Sequence, residues 1–264
     1  MFKNVFTRSL YSLRWQLFGW AVAIFWIVLL TMAVYNALSQ QGIEQIVGQT
    51  PDSLKSLIGT TADFTTIPGY IGQQIFGPNL VLFTIIMAVL LFLGISSGKE
   101  DRGLTQTMLT LPISRSSLYL QQWLAVVIVI GLACLAILPG IGLGLLIVNH
   151  SADWARISLT TFECWLMNLA YGLVGYSVAM ATGKRGLSIT VAAGYAVVSF
   201  IVTTLSPAVN WLKWPDKLSV FHYYNNPQIM SNGLNWAHVW VLLGVIAGLT
   251  VIGWFGFMRR DVRS

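Results

Sequence analysis

Charge is scarce in this chain. Asp, Glu, Lys and Arg together make up 9% of its 264 residues, where soluble domains carry about 25%. That shortage excludes a soluble fold and a disordered one, because neither can present so much apolar surface to water. Cysteine is nearly absent. Cys134 and Cys164 fall in separate apolar runs, which excludes a disulfide framework and reads as two packing residues. No G-x-x-x-x-G-K-[ST] stretch occurs, and Gly183-Lys184 lacks the upstream glycines, so the chain does not hold ATP through that loop. H-E-x-x-H and C-x-x-C are missing too, leaving no constellation for zinc-peptidase or dithiol chemistry.

Apolar residues are abundant instead, at 56%, and mean hydropathy is +0.71. A spanning helix needs about 20 mostly apolar residues. Six segments qualify, at about 17–38, 79–95, 118–148, 162–181, 187–205 and 239–258. The runs are continuous rather than alternating, so a β-barrel is excluded. The expectation is an all-α polytopic membrane protein whose 264 residues form one transmembrane domain. The first run follows Lys3, Arg8 and Arg14, as a signal peptide would. It outlasts the usual apolar core of about 7–15 residues, and it is read as a retained helix.

The basic residues sort by loop. Lys3, Arg8, Arg14, Lys99, Arg102, Arg115, Lys184, Arg185, Arg259, Arg260 and Arg263 share one side, against Lys55, Arg156, Lys213 and Lys217 on the other. Cytoplasmic loops collect Lys and Arg, so both termini are expected in the cytoplasm of a multi-pass protein of the cell (inner) membrane. The net charge of +6 then answers to topology and anionic lipid, with no nucleic acid required. Trp211, Trp214, Phe221, Tyr223 and Tyr224 fit an outer interfacial belt, and Trp15 and Trp123 an inner one.

Residues 2–14 carry Phe2, Val5, Phe6, Leu10 and Leu13 at helical spacing. They read equally as an interfacial amphipathic helix or as a cytoplasmic extension of the first span. The loop after that span holds a short helix near Pro51–Ile58, and Gly69, Gly72, Gly77 and Pro78 mark the return to the membrane. The third run is too long to cross upright, and Pro139-Gly140 is the expected bend. Gly140-x-x-x-Gly144 and Gly244-x-x-x-Gly248 let another helix come close. Gly183-Lys184-Arg185-Gly186 is a tight basic hairpin, and no internal repeat is visible.

Glu163 is the one carboxylate in the body of a span, which makes it an intramembrane functional candidate. Thr160-Thr161-Phe162-Glu163 also has capping-box spacing, and by that reading Glu163 closes the start of the fourth span at headgroup depth. His150, His222 and His238 all fall on the external side, with Asp153 or Met230 as possible companions. Their spacing matches no ligand pattern, so no metal site is expected.

One segment stands apart. Lys99-Glu100-Asp101-Arg102-Gly103 leaves the second span with balanced charge, and Leu104, Met108 and Leu111 then form one apolar stripe over about two helical turns. Pro112 ends that helix, Ser114 or Ser116 caps the next, and Arg115 lies at the inner interface. A short helix with an exposed stripe, tied at both ends to spans, is a lever with a docking face, unless it simply lies on the lipid surface.

These residues resemble the permeases of ABC-2 type exporters. Glu100, Gly103-Leu104-Thr105, Met108-Leu109 and Pro112-Ile113-Ser114-Arg115 hold the family's places between the second and third spans. Leu104 stands where Thr is usual, and Gln121-Gln122 where a Lys often opens the third span. Leu218–Asn225 resembles the aromatic stretch before the last span, and Phe257-Met258-Arg259-Arg260-Asp261-Val262 the closing F-x-R-R-D-[Ile/Val]. Pro51–Gly59 and Gly69-Tyr70 fit the first external loop.

The resemblance implies a permease paired with a second copy or a paralogue, each above a cytoplasmic ABC ATPase that binds ATP and Mg. The 104–111 helix would be the coupling helix, residues 2–14 the interfacial elbow, and the cargo hydrophobic or amphipathic: a drug, lipid or peptide. The permease itself would catalyse nothing and bind no cofactor. Two rivals stand beside it: a scaffold or sensor gripping the same ATPase without transport, and an ion-coupled carrier or enzyme centred on Glu163.

Overall fold

The computed structural model describes residues 5–40, 66–96, 114–224, 229–230 and 233–259. The coupling segment from Glu100 to Pro112, the short helix expected near Pro51–Ile58, and Arg260-Asp261 lie outside them. The described chain is helical, and six of its helical stretches are long and apolar enough to cross a bilayer.

The first helix, α1, runs unbroken over Val5–Gln40. At 1.5 Å per residue its 36 residues reach about 54 Å, well past the roughly 30 Å of hydrocarbon. Residues 5–14 are therefore an extension of the first span, not a separate interfacial helix. Neither Gly nor Pro interrupts the stretch between them and the apolar run, so nothing in the sequence turns the chain there.

The chain returns through α2 (Ile67–Tyr70) and a π-helical turn (Ile71–Ile75). Thr66 caps α2 by accepting from the Gly69 amide. Gly77 then precedes Pro78, the first residue of α3 (Pro78–Ile95). A Cβ at Gly77 would stand 1.7 Å from the Gln73 carbonyl oxygen, so the turn admits only glycine.

The third span is two helices, α4 (Arg115–Leu135) and α5 (Ile137–Val148), broken at Ala136. The bend thus precedes Pro139-Gly140 by a turn. Pro139 has no N–H for the Leu135 carbonyl four residues back, and its ring presses on the same group, so the ladder fails at 135–136. The Ala136 amide bonds instead to the Ala133 carbonyl at 3.1 Å.

The fourth span is α6 (Trp154–Thr182), closed by Gly183 at φ 69°. It begins eight residues before the expected start. Asp153 is its N-cap, accepting from the amides of Ala155 and Arg156 at 2.9 and 3.4 Å. The Thr160–Glu163 capping box does not form: both threonines sit mid-helix and donate back to the carbonyls of Arg156 and Ile157. After α7 (Arg185–Leu205) come a 3₁₀ turn (Asn210–Leu212), α8 (Lys213–Asp216) and a second 3₁₀ turn (Val220–Tyr223). The last span is α9 (Trp236–Arg259).

Helix α6 is the axis of the bundle, with α3, α4, α7 and α9 around it. Of its most apolar stretch 78% is buried, against 17% for α1. Helix α1 packs on α4 and α5. Gly140 and Gly144 make the α1–α5 contact possible, since a Cβ at Gly144 would lie 2.4 Å from the Met32 Cβ. Gly244 and Gly248 of the last span have no neighbour within 4 Å. The first G-x-x-x-G pair is thus used inside the chain, and the second faces outward.

Candidate functional site

One end of the bundle collects the basic residues. The Phe6 amide donates to the Gln121 side chain at 3.0 Å, bringing the start of α1 against the first turns of α4. The Ser116 hydroxyl reaches Met258, and the Trp254 indole donates to Ser116 at 3.2 Å, bringing in the end of α9. Gly256 meets Ala181, which adds the end of α6 and the hairpin behind it. Arg115, exposed Lys184 and Arg185, and exposed Arg259 therefore share this end with Arg8 and Arg14. Arg156, in the first turn of α6, and Lys213 and Lys217 lie at the opposite end.

At the basic end three spans are tied by side chains that the sequence did not single out. The Tyr119 hydroxyl donates to the Thr250 carbonyl at 2.8 Å, the Tyr176 hydroxyl to the Tyr119 carbonyl at 3.3 Å, and the Ser177 hydroxyl to the Leu249 carbonyl at 2.7 Å. The rings of Phe92, Tyr176 and Tyr119 follow one another with centroids 5.0 and 5.2 Å apart, and Phe257 lies 6.3 Å beyond. This linkage begins just after Ser114, whose hydroxyl caps α4 by accepting from the Ser117 amide. Of the expected coupling residues, Arg115 alone is described. Glu100, Gly103, Leu104, Thr105, Met108, Leu111 and Pro112 are not, and neither are Arg260 and Asp261.

A second polar locus lies inside the bundle. Glu163 is 1% exposed on α6, and its Oε2 has no hydrogen-bond partner. It is therefore a buried intramembrane acid rather than a cap. Asn168 donates to the sulfurs of both Cys164 and Cys134, at 3.5 and 3.7 Å, so the two cysteines meet although they sit on different spans. They are free and buried. Tyr224 closes the locus from the loop side, donating to the Phe76 carbonyl at 3.1 Å. Burial first, then the nearby Cys164 and Glu163, push its phenol well above the usual tyrosine range. Tyr224 and Phe221 are accordingly interior residues, while Trp211 and Trp214 are exposed as a belt requires.

Two hollows adjoin this locus. A cavity of about 140 Å³ is lined by Phe76, Thr203, Phe221 and Tyr224. A cleft of about 490 Å³ opens on the flank of the bundle between the third and fourth spans, lined by Leu132, Cys134, Leu135, Leu138, Phe162 and Trp165. It is within the range that holds drug-sized ligands, roughly 300–1,000 Å³. The Trp165 indole is fixed by its bond to the Val127 carbonyl at 3.2 Å.

The three histidines separate. His150 rests on Tyr35 with centroids 5.9 Å apart, whereas His222 and His238 come together near Asp216. Among the described residues no three His, Cys, Asp or Glu side chains form a group able to hold a metal ion.

No curated protein matches the chain. A family model does, over residues 8–258, described as the C-terminal domain of the multidrug efflux system permease Rv1217c. The match takes in all six spans and both polar loci, and the chain belongs to that permease family.

Proposed function

We propose that this chain is the membrane permease of an ABC-2 type exporter, driven by a separate cytoplasmic ABC ATPase that supplies ATP and Mg chemistry. The observation that carries this reading is the tie at the basic end. Tyr119 and Ser116, in the first turns after the coupling segment, are bonded to the sixth span, and Tyr176 links the fourth. A push delivered at the start of α4 would thus reach three spans through side-chain contacts. The basic residues at that end favour its cytoplasmic placement, where Lys184, Arg185 and Arg259–Asp261 would face the ATPase with Arg115. A second permease, identical or paralogous, would complete the unit against the exposed faces of the outer helices.

Cargo follows from the family's multidrug efflux description and from the apolar cleft of about 490 Å³. Both favour a hydrophobic or amphipathic compound. The test is purification of the tagged chain from its own membrane in mild detergent, with identification of what accompanies it. A stoichiometric P-loop ATPase, lost on Leu104→Asp/Met108→Asp, is the expected result. A chain that arrives alone after crosslinking would sink the reading. Glu163 favours a second one, an ion-coupled carrier, because an unpartnered acid inside a span is costly and is a functional candidate by default.

A further inference from the structure

We propose that His222 and His238 form a binding site for a first-row divalent transition-metal ion at the loop end of the bundle. The site stands on residues apart from the transport reading above. His222 lies in the second 3₁₀ turn, His238 in the first turn of α9, and their rings are 6.4 Å apart between centroids.

One ring of the pair has a nitrogen held by an oxygen acceptor. His222 Nδ1 lies 2.7 Å from Asp216 Oδ2. A carboxylate only accepts, so Nδ1 carries a proton, and the neutral form of the ring has its lone pair on Nε2. Metal-ligating histidines are oriented in this way, one nitrogen donating to a carboxylate or backbone carbonyl and the other bound to the ion.

Asp216 is itself positioned for that role. It is 6% exposed, the Ser206 hydroxyl donates to its Oδ2 at 3.1 Å, and its Oδ1 has no partner. A buried carboxylate behind one ligand raises that ligand's basicity and places negative charge near the cation. Tyr223 packs its ring against both imidazoles, with centroids at 5.0 and 5.6 Å, and its hydroxyl is turned away to the Lys217 carbonyl. It walls the pair without competing for the ion.

Two imidazoles that share an ion at about 2.0–2.1 Å per nitrogen hold their centroids roughly 5–6 Å apart. The observed 6.4 Å closes with a small turn of one ring, and the His222 side chain is 35% exposed. Imidazole suits Zn²⁺, Cu²⁺ and Ni²⁺, with Cu²⁺ the tightest of the three. Two protein ligands leave the remaining positions to water, so the site is open and exchangeable.

The test uses the full chain in lipid nanodiscs, prepared without a polyhistidine tag and titrated calorimetrically with Zn²⁺ and with Cu²⁺. One ion per chain is expected, Cu²⁺ binding tighter. His222→Gln and His238→Gln should each weaken binding at least tenfold, Asp216→Asn roughly 10–100-fold, and His150→Gln not at all. Because His222→Gln also removes the Asp216 contact, His238→Gln with an unchanged metal-free melting point is the deciding variant. No saturable binding below millimolar ion, or undiminished binding in His222→Gln/His238→Gln, would overturn the proposal.

Discussion

Tyr119 of the third span donates its hydroxyl to the Thr250 carbonyl of the sixth at 2.8 Å, and it does so over Gly253, where a Cβ would stand 2.8 Å from that same oxygen. The hydrogen bond and the glycine are one feature: the tyrosine reaches the backbone because no side chain blocks it. Gly253→Ala should therefore cost about 1–3 kcal/mol, the usual penalty of overpacking, and lower the melting temperature in detergent. Tyr119→Phe alone removes one bond, worth about 1 kcal/mol. In the double variant the two losses should fall short of their sum, since the phenylalanine relieves part of the clash. Full additivity would show that the alanine meets Ser177 rather than Tyr119.

The two G-x-x-x-G pairs make a matched comparison. Gly144→Ala puts a methyl group 2.4 Å from the Cβ of Met32, which is fully buried and has nowhere to go. Thermal melting of the isolated chain should register a loss of about 1–3 kcal/mol. Gly248→Ala meets nothing within 4 Å, and Ala is the better helix former by about 1 kcal/mol. That variant should melt at the same temperature or higher. Equal destabilisation by both would refute the α1–α5 packing.

Pro139 is expected to set the break at Ala136. Pro139→Ala restores a donor for the Leu135 carbonyl and removes the ring that presses on it. Amides across 136–140 should then exchange more slowly with deuterium, as in an uninterrupted helix. If the bend serves coupling, ATP-driven efflux in vesicles falls several-fold while the ATPase stays bound. Unchanged efflux alongside slowed exchange would show that the bend is dispensable.

The spans were legible because their apolar runs are continuous and long, and boundaries such as Pro78–Ile95 followed to within a residue. What local patterns misplaced were the ends and bends. Thr160–Glu163 satisfies the capping-box spacing, yet Asp153 lies closer to the true helix start and holds two amides there. Pro139 was recognised, but its effect falls one turn upstream, where the missing donor is needed. The polar sites depended on pairings no single segment reveals. Cys134 and Cys164 meet at Asn168, and Asp216 finds His222 only because two short turns fold back. Tyr119 and Gly253, 134 positions apart, carried no local signal at all.

Glu163 decides between the two transport readings. Its Oε2 is buried and unpartnered, and a polar atom left so costs about 1–3 kcal/mol. Glu163→Leu, similar in volume and apolar, should raise the melting temperature or leave it unchanged. A clear drop would mean that the acid has a partner holding the bundle together. Glu163→Gln keeps the shape and removes the titratable proton. If a cytoplasmic ATPase supplies the energy, Glu163→Gln should retain at least half of the wild-type, ATP-dependent efflux of an apolar dye from vesicles. Loss of efflux with ATPase binding and melting intact would instead place the driving ion at Glu163, and the carrier reading would replace the exporter.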